Sequence, residues 1–300
     1  MLVPVELNLP ETAKALSAPV TKLIEVVAAG CGRLYEPTGI RRKARAEGDA
    51  AVILEGARGR VSELRDRAAQ RLLDTEERRQ QNIEAITEDA IKRLPGTVSD
   101  DPVDQDWAAR FFSECQDISN EEMRSVWARL LAGEVARPGS FSPRTLWVLK
   151  NLTRREAQLF NELCKQSFRV GGVLQPMVGV PERSSVLEEH GLDFQGLQRL
   201  VDAGLTTWHD LGLLWDLKVE ALLLIGSKVS LMLKSPSPHQ FSLGYVSFTS
   251  AGLELAEICE WDIPEARLNE IEGSIAAPLS SVRVEVIDRL PDGRVRFKPL

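Results

Sequence analysis

Residues 46–96 carry apolar side chains at a spacing that predicts one long helix. Mostly apolar positions recur every 11 residues in two rows, which are Ala50, Val61, Leu72, Ile83 and Leu94, and Ile53, Leu64, Thr75 and Ile86. Eleven residues fill three helical turns, so each row forms a nearly straight stripe along the helix. An apolar stripe flanked by charged residues must be covered by another helix.

The expected partner of this stripe is a second copy of the chain, which would make the protein a homo-oligomer. A helix of the same chain is the alternative. The predicted oligomer interface consists of Val61, Leu64, Leu72, Ile83 and Ile86.

Shorter amphipathic segments over residues 97–170 predict a helical bundle after an acidic, turn-rich linker. The stretch NEEMRSVWARLLAGEVARPGSFSPRTL, residues 120–146, has Trp127 on the apolar face of its first helix. Pro138-Gly139 ends this helix and Ser142-Pro143 begins the next. Ser119 with Glu122, and Thr153 with Glu156, match the capping-box pattern of helix starts. These breaks fold the helices back on one another, with Trp127 as a core anchor.

The C-terminal third changes to strand-like periodicity. Two short helices joined at Gly191 precede the strand-like runs VEALLLIG, KVSLMLKS and LGYVSFTS, and the segment SAGLELAEICEW closes the series as a helix. This order predicts a winged-helix-like domain over residues 171–262. Residues 263–300 form a predicted β-hairpin tail, with alternating valines and a Pro-Asp-Gly turn. The predicted fold class is mainly α with a C-terminal α+β part.

Residues 1–45 form an N-terminal segment in which an apolar helix precedes a basic cluster. Between Arg33 and Arg45 five basic residues stand against one acidic residue. An apolar patch beside a cationic one can lie on an anionic membrane surface. A helix packed on the protein body, followed by a solvated basic linker, is the alternative. The membrane hypothesis rests on Ile24, Val27, Arg41, Arg42 and Lys43.

The composition, with 43% hydrophobic and 27% charged residues, is that of a folded globular chain. A net charge of −7 argues against a protein wholly devoted to binding DNA. The chain shows neither a signal-peptide pattern nor a run of about 18 apolar residues. The sequence therefore predicts a cytoplasmic protein, and peripheral contact with the inner membrane is the alternative.

Motifs that carry known chemistry are not visible in the sequence. The four cysteines are far apart and form no CxxC pair, so neither a zinc site nor a disulfide framework is expected. The sequence shows no nucleophile motif, HExxH or phosphate-binding loop. The prediction is a non-enzyme with no catalytic residues, no bound metal and no cofactor.

The second short helix of the winged-helix-like domain carries the candidate recognition residues Gln195, Gln198 and Arg199. Arg199 is the only basic residue between Asp193 and Thr207. A helix that binds DNA phosphates needs several Lys or Arg residues. Contact with a phage or host protein, or dimerisation, is therefore favoured over DNA binding, which stays open as an alternative.

Residues 120–160 resemble a block in bacterial proteins of the abortive-infection alpha type, and in a related uncharacterised family from phage and defence contexts. The similarity extends over residues 17–170. The resemblance implies a role in limiting phage infection, and it implies neither a reaction nor catalytic residues. The shared positions are Glu121, Glu122, Trp127, Leu130, Leu131, Ala132 and Phe160.

These features together predict a non-enzymatic anti-phage protein of the abortive-infection type. It is expected to self-associate through the long helix and to recognise a partner through the winged-helix-like domain. Two alternatives stay open, namely a membrane-perturbing effector acting through residues 19–45 and a winged-helix regulator that binds DNA.

Overall fold

The structure is a computed structural model, and it describes residues 17–31, 59–178, 184–217, 221–226, 229–234, 239–259, 267, 270, 283–289 and 295–299. The described part is mainly helical with antiparallel strands towards its C-terminal end, which confirms the predicted fold class. The chain divides into two compact units, Met1–Leu146 and Trp147–Leu300. This division lies inside the segment 97–170 that the sequence predicted to be one bundle.

The N-terminal unit is built from helices. Helix α1 packs on α3 and α4, and α2 packs on α4. Gly30 lets α1 approach α3 closely, because a Cβ there would lie 2.5 Å from Phe112 Cδ2 and 2.7 Å from the Ala108 carbonyl oxygen. The helices are α1 (Ala18–Cys31), α2 (Gly59–Arg93), α3 (Gln105–Cys115), α4 (Glu121–Ala136) and α5 (Pro143–Asn151), the last of which crosses the division.

An aromatic cluster forms the centre of this unit. Trp127 on α4 is fully buried and meets Phe111 on α3 edge to face, with ring centroids 5.3 Å apart. Phe111 also stacks on Trp107 and contacts Phe112 edge to face. Each such pair contributes about 0.5–1.5 kcal/mol beyond the area it buries. The prediction that Trp127 is a core anchor is confirmed.

A buried carboxylate holds the loop between α4 and α5. Glu134 is 1% exposed, and its two oxygens accept hydrogen bonds from the backbone N–H groups of Gly139 at 2.7 Å and Phe141 at 3.0 Å. Gly139 has a φ of +83°, a conformation that favours glycine. The Pro-Gly break is therefore an ordered turn that Glu134 and the buried Phe141 fix.

The helix starts agree with the sequence in one case and differ in another. The predicted capping box of Thr153 and Glu156 is present at the start of the helix that follows α5. For α4 the prediction is wrong, because Asn120 rather than Ser119 caps the helix by accepting from Met123 N–H. The Ser119 hydroxyl instead lies 3.2 Å from the Asn82 side-chain amide of α2.

The long helix α2 is covered by its own chain along only part of its length. Ile86 is fully buried and Ile83 is 8% exposed, so these two predicted interface residues belong to the core of the N-terminal unit. Every residue from Glu63 to Leu72 is exposed, and Leu64 and Leu72 are exposed by 62% and 61%. Val61 lies in the helix, but its side chain and residues 46–58 are outside the described part of the chain.

Helix α1 is packed against the protein body. Val27 is buried, so this residue of the membrane hypothesis contacts its own chain, and Ile24 is partly exposed. Arg41, Arg42 and Lys43 are outside the described residues. Within the residues that the structure describes, no helix is both long and apolar enough to cross a membrane.

The C-terminal unit combines helices with two antiparallel sheets. One sheet has six strands in the order β2-β1-β4-β5-β7-β8, and the other consists of β3 and β6. The elements are α6 (Arg154–Lys165), β1 (Ser167–Val170), β2 (Val173–Pro176), α7 (Ser185–Glu189), α8 (Phe194–Asp202), β3 (Thr206–Leu217), β4 (Ala221–Ile225), β5 (Val229–Lys234), β6 (His239–Phe248), α9 (Ser250–Ala256), β7 (Arg283–Arg289) and β8 (Val295–Pro299).

The winged-helix-like domain over residues 171–262 stays a prediction. Helices α7 and α8 precede the paired strands β3 and β6, α9 follows them, and the β4–β5 hairpin lies between β3 and β6 in the chain. The predicted tail hairpin is present as β7 and β8. It does not stand apart as a separate domain, because β7 pairs with β5 from Arg283 to Asp288. Strands β1, β2 and β3 were not predicted.

We expect Glu134→Ala to lower the free energy of unfolding by about 1–3 kcal/mol, because two loop amides lose their acceptor. Urea denaturation followed by tryptophan fluorescence measures this change. Glu63→Ala is the control, since Glu63 is exposed and its replacement should cost less than about 0.5 kcal/mol. Equal losses in the two variants would contradict the role given to Glu134.

Candidate functional site

Three aromatic side chains form a row on the surface of the C-terminal unit. Phe194, the first residue of α8, meets Trp208 of β3 edge to face with ring centroids 5.3 Å apart. Trp208 stacks on Tyr245 of β6 at 5.6 Å. Phe194 is 50% exposed, and the other two rings are partly exposed. We call Phe194, Trp208 and Tyr245 the aromatic row.

An irregularity in β3 leaves two leucines exposed. The β3–β6 register shifts between Trp208 and Leu213, since Trp208 pairs with Val246 whereas Leu213 pairs with Gly244. The extra residues of β3 form a bulge, whose Gly212 has a φ of +72°. Leu211 in the bulge is 93% exposed and Leu214 is 57% exposed. We refer to the exposed and partly exposed apolar side chains of α8, β3 and β6, which are the aromatic row, Leu211 and Leu214, as the exposed apolar surface.

A polar groove of about 250 Å³ lies between α6 and α8. Positions 155, 159 and 162 share one face of α6, because residues three and four apart are neighbours on a helix. The turn before α8 supplies His190 and Asp193. The groove is lined by Arg155, Gln158, Leu159, Glu162, His190, Gly191, Asp193, Gln195, Gly196 and Arg199.

Two glycines allow the tight turn at one end of the groove. A Cβ on Gly196 would lie 1.9 Å from the Gly191 carbonyl oxygen, so only glycine fits at this close approach. Gly191 itself has a φ of +71°. The Asp193 carboxylate caps α8 by accepting from Gly196 N–H at 2.7 Å.

The charged groups of the polar groove differ in their partners. Glu162 accepts a hydrogen bond from Lys165 at 2.7 Å, and its other oxygen lies 3.0 Å from His190 Nδ1. Asp193 is occupied as the helix cap. Arg155 and Arg199 are exposed, and neither side chain makes an ion pair or hydrogen bond to another described residue. The acids of the groove are therefore engaged, while its two arginines are available.

Two of the three predicted recognition residues lie in the polar groove and the third does not. Gln195 and Arg199 line the polar groove, whereas Gln198 lies 3.4 Å from the Asp202 carboxylate on its own helix. Sequence reasoning missed the aromatic row and Arg155. The β-forming run Thr-Thr-Trp at residues 206–208 was the available signal for β3. Nothing in the local sequence linked Arg155 to a helix about 40 residues later in the chain.

A buried arginine joins two segments of the C-terminal unit. Arg267 is 5% exposed, lies 2.9 Å from the Glu270 carboxylate and donates to the Met177 carbonyl oxygen at 2.6 Å. Glu270 also accepts from the Ser184 hydroxyl, which caps α7. Desolvation alone would raise the pKa of Glu270, but hydrogen bonds from Ser184 and Arg267 outweigh it and hold that pKa below its ordinary value. These contacts join Arg267 and Glu270 to Met177 and Ser184 within the fold, so we assign this cluster a structural role.

Three of the cysteines, Cys31, Cys115 and Cys164, are poorly suited to nucleophilic chemistry. Burial raises the pKa of Cys31 to about 12, and it raises the pKa of Cys115 and Cys164 well above the ordinary value. A thiol with a raised pKa stays protonated at neutral pH and reacts slowly. In the part of the chain that the structure describes, no group of three or more His, Cys, Asp or Glu side chains is placed to hold a metal ion.

Residues 66–271 match the model of the family described as "Protein of unknown function (DUF2806)". The match covers more than half of the chain, and the chain belongs to this family. It includes the exposed apolar surface and the polar groove. No curated protein and no solved structure matches the chain significantly.

We expect Glu270→Gln to lower stability most near neutral pH and to differ less from the wild type in acid. The pKa of Glu270 is lowered by folding, so its ionised form stabilises the fold above the unfolded-state pKa. This stabilisation is lost as the pH falls through the folded-state pKa. Urea denaturation at steps from neutral pH to about pH 3 measures the difference.

Glu188→Gln is the control for this experiment, because Glu188 is an exposed carboxylate on α7 close to the cluster. Its replacement should leave the pH dependence of stability unchanged. If Glu270→Gln follows the wild-type pH dependence throughout, the ionic role of Glu270 is wrong.

Proposed function

We propose that this member of the DUF2806 family is a non-enzymatic binding protein of anti-phage defence. It recognises a protein partner through the exposed apolar surface and self-associates through the exposed part of α2. The observation that carries the proposal is the exposed apolar surface, because large apolar patches on soluble proteins usually mark sites of interaction.

The composition of the exposed apolar surface suits a protein partner. Trp and Tyr are enriched among the residues that dominate binding energy in protein interfaces. The aromatic row offers both, and its mutual packing holds the rings in place before a partner arrives. Leu211 contributes a side chain that its own fold covers hardly at all. Burying such a leucine in an interface is favourable by about 1.5–3 kcal/mol.

The charges beside this surface favour a protein over DNA. Helix α8 carries Arg199 as its only basic residue, and Asp193, Asp202 and Asp210 are exposed on or near it. Binding to DNA phosphates draws its affinity from several cations that displace counterions. A surface with more acids than bases gains little from this effect, so a regulator that binds DNA through α8 is not favoured.

The exposed part of α2 supports self-association. Residues 63–72 are exposed on every side, so the described part of the chain does not cover this stretch. Ten helical residues are about 15 Å long, and a helix gains most of its stability from packing against a neighbour. A second copy lying along Leu64 and Leu72 would provide such packing. The proposed interface is therefore shorter than the one predicted from the sequence, because Ile83 and Ile86 are buried in their own chain.

The defence role rests on the sequence resemblance to abortive-infection proteins. Several shared positions, among them Trp127, Leu130, Leu131 and Phe160, are buried residues of the fold. They support a common scaffold and specify neither a trigger nor a target. The membrane-perturbing alternative is less well supported, because Val27 of its proposed surface is buried in the chain.

We expect Leu64→Glu to weaken self-association at least tenfold, because each copy would place an unpaired charge against the apolar stripe. Light scattering coupled to size-exclusion chromatography over a concentration series measures the midpoint of assembly. Gln70→Glu is the matched control, since it adds the same charge on another side of the exposed helix. A wild-type protein that stays monomeric throughout the series contradicts the self-association proposal.

We expect Leu211→Glu to abolish protection in a plaque assay in which the wild-type gene lowers phage yield. Leu211 contributes almost nothing to the fold, so a loss of protection points to partner binding. Val173→Glu, at an exposed valine of β2 outside the proposed surface, should keep protection. Circular dichroism checks that both variants fold.

Two results would contradict this part of the proposal. Full protection by Leu211→Glu would rule out the exposed apolar surface as the recognition site. Absence of protection by the wild-type gene against a broad phage panel would rule out the defence role, whatever the surface binds.

A further inference from the structure

We propose that the polar groove between α6 and α8 is a binding site for a small oxyanion, of the phosphate or carboxylate class. This site is separate from the exposed apolar surface, and it does not depend on the proposed defence role. The inference starts from Arg155 and Arg199, which line one groove from two helices that are far apart in sequence.

The two guanidinium groups are the unsatisfied charges of the groove. Neither has an anionic partner among the described residues, whereas Arg79 of α2, also on the surface, makes two hydrogen bonds to Asp117. Guanidinium groups match the geometry of carboxylates and phosphates and bind them through paired hydrogen bonds. Two of them at one groove select for an anion with several oxygens.

The acidic residues of the groove do not cancel this preference. Glu162 is balanced by Lys165 and faces His190, so its charge is compensated locally. Asp193 is held by the backbone of α8 as the helix cap. The N-terminus of α8 is therefore already occupied by a carboxylate, and the arginines carry the site.

The neighbours of the arginines complete a polar lining. Gln195 lies one helical turn before Arg199 on α8, and its exposed amide can donate to an anion oxygen. Gly196 contributes no side chain to the lining, because its backbone lies directly against the Gly191 carbonyl group. Among the described residues that line the groove, Leu159 is the one with an aliphatic side chain.

The volume of the groove limits the ligand. At about 250 Å³ it is smaller than the roughly 300–1,000 Å³ typical of sites for larger organic molecules. A pyrophosphate, a phosphate ester or a tricarboxylate fits this size. Phosphate and carboxylate groups occur on free metabolites and also on larger partners. The two arginines would recognise such a group in the same way in either case.

The test compares pyrophosphate and citrate as probes for the full chain, each titrated up to about 10 mM at constant ionic strength. Isothermal titration calorimetry measures affinity, and thermal unfolding gives an independent measure of binding. We expect saturable binding of one or both probes at one site per chain. Binding of pyrophosphate alone identifies a phosphate site, and binding of citrate alone identifies a carboxylate site.

The variants are Arg155→Gln, Arg199→Gln and the double variant. Each single change should weaken binding about tenfold, because it removes one charge-assisted contact, and the double variant should show no saturation. Arg144→Gln is the control, since Arg144 is an exposed arginine outside the groove. The unfolding temperatures without probe show whether any variant is misfolded.

Three results would overturn the proposal. The first is no saturable binding of either probe by the wild type. The second is equal binding by the wild type and a folded double variant. The third is a loss of affinity in Arg144→Gln as large as in the groove variants, which would indicate general attraction to positive charge instead of a site.

Discussion

The burial of α2 along only part of its length is the constraint on which the N-terminal unit depends. From about Arg79 onwards the helix is tied to its own chain, through the Arg79–Asp117 pair, the Asn82 amide and the buried Ile86. Residues 63–72, which come earlier in the same helix, are all exposed. One helix therefore contributes both to the core of the unit and to an exposed surface. The apolar stripe is continuous in sequence, yet it is exposed at Leu64 and Leu72 and buried at Ile83 and Ile86.

The sequence predicts those features of the N-terminal unit and of α6 that depend on residues close together in the chain. The helical period of α2, the capping box at Thr153 and the buried position of Trp127 follow from residues within a few turns. The part of α2 that is covered could not be read in this way, because periodicity indicates that a face is apolar and not what covers it. Ile83 and Leu72 occupy the same row of the pattern and have opposite exposures.

The two candidate surfaces were hidden for a related reason. The polar groove joins side chains of α6 and α8, and the aromatic row joins α8, β3 and β6, so neither forms a contiguous motif. Helix α8 takes part in both. Its start is held against the Gly191 turn, since Gly196 allows a contact that any side chain would prevent. A change in this turn would therefore reach the polar groove and the aromatic row together.

The pairing of β5 with β7 has a consequence for how the chain is made. Strand β5 ends at Lys234 and β7 begins at Arg283, so β5 emerges from the ribosome well before the strand that covers its edge. Until β7 arrives, β5 offers unpaired amide and carbonyl groups to any other nascent chain nearby. Contacts between distant segments also form slowly, because a long loop must close first. In a sheet whose neighbouring strands are this far apart in the chain, the edge of β5 is therefore open to wrong pairing until β7 has been made.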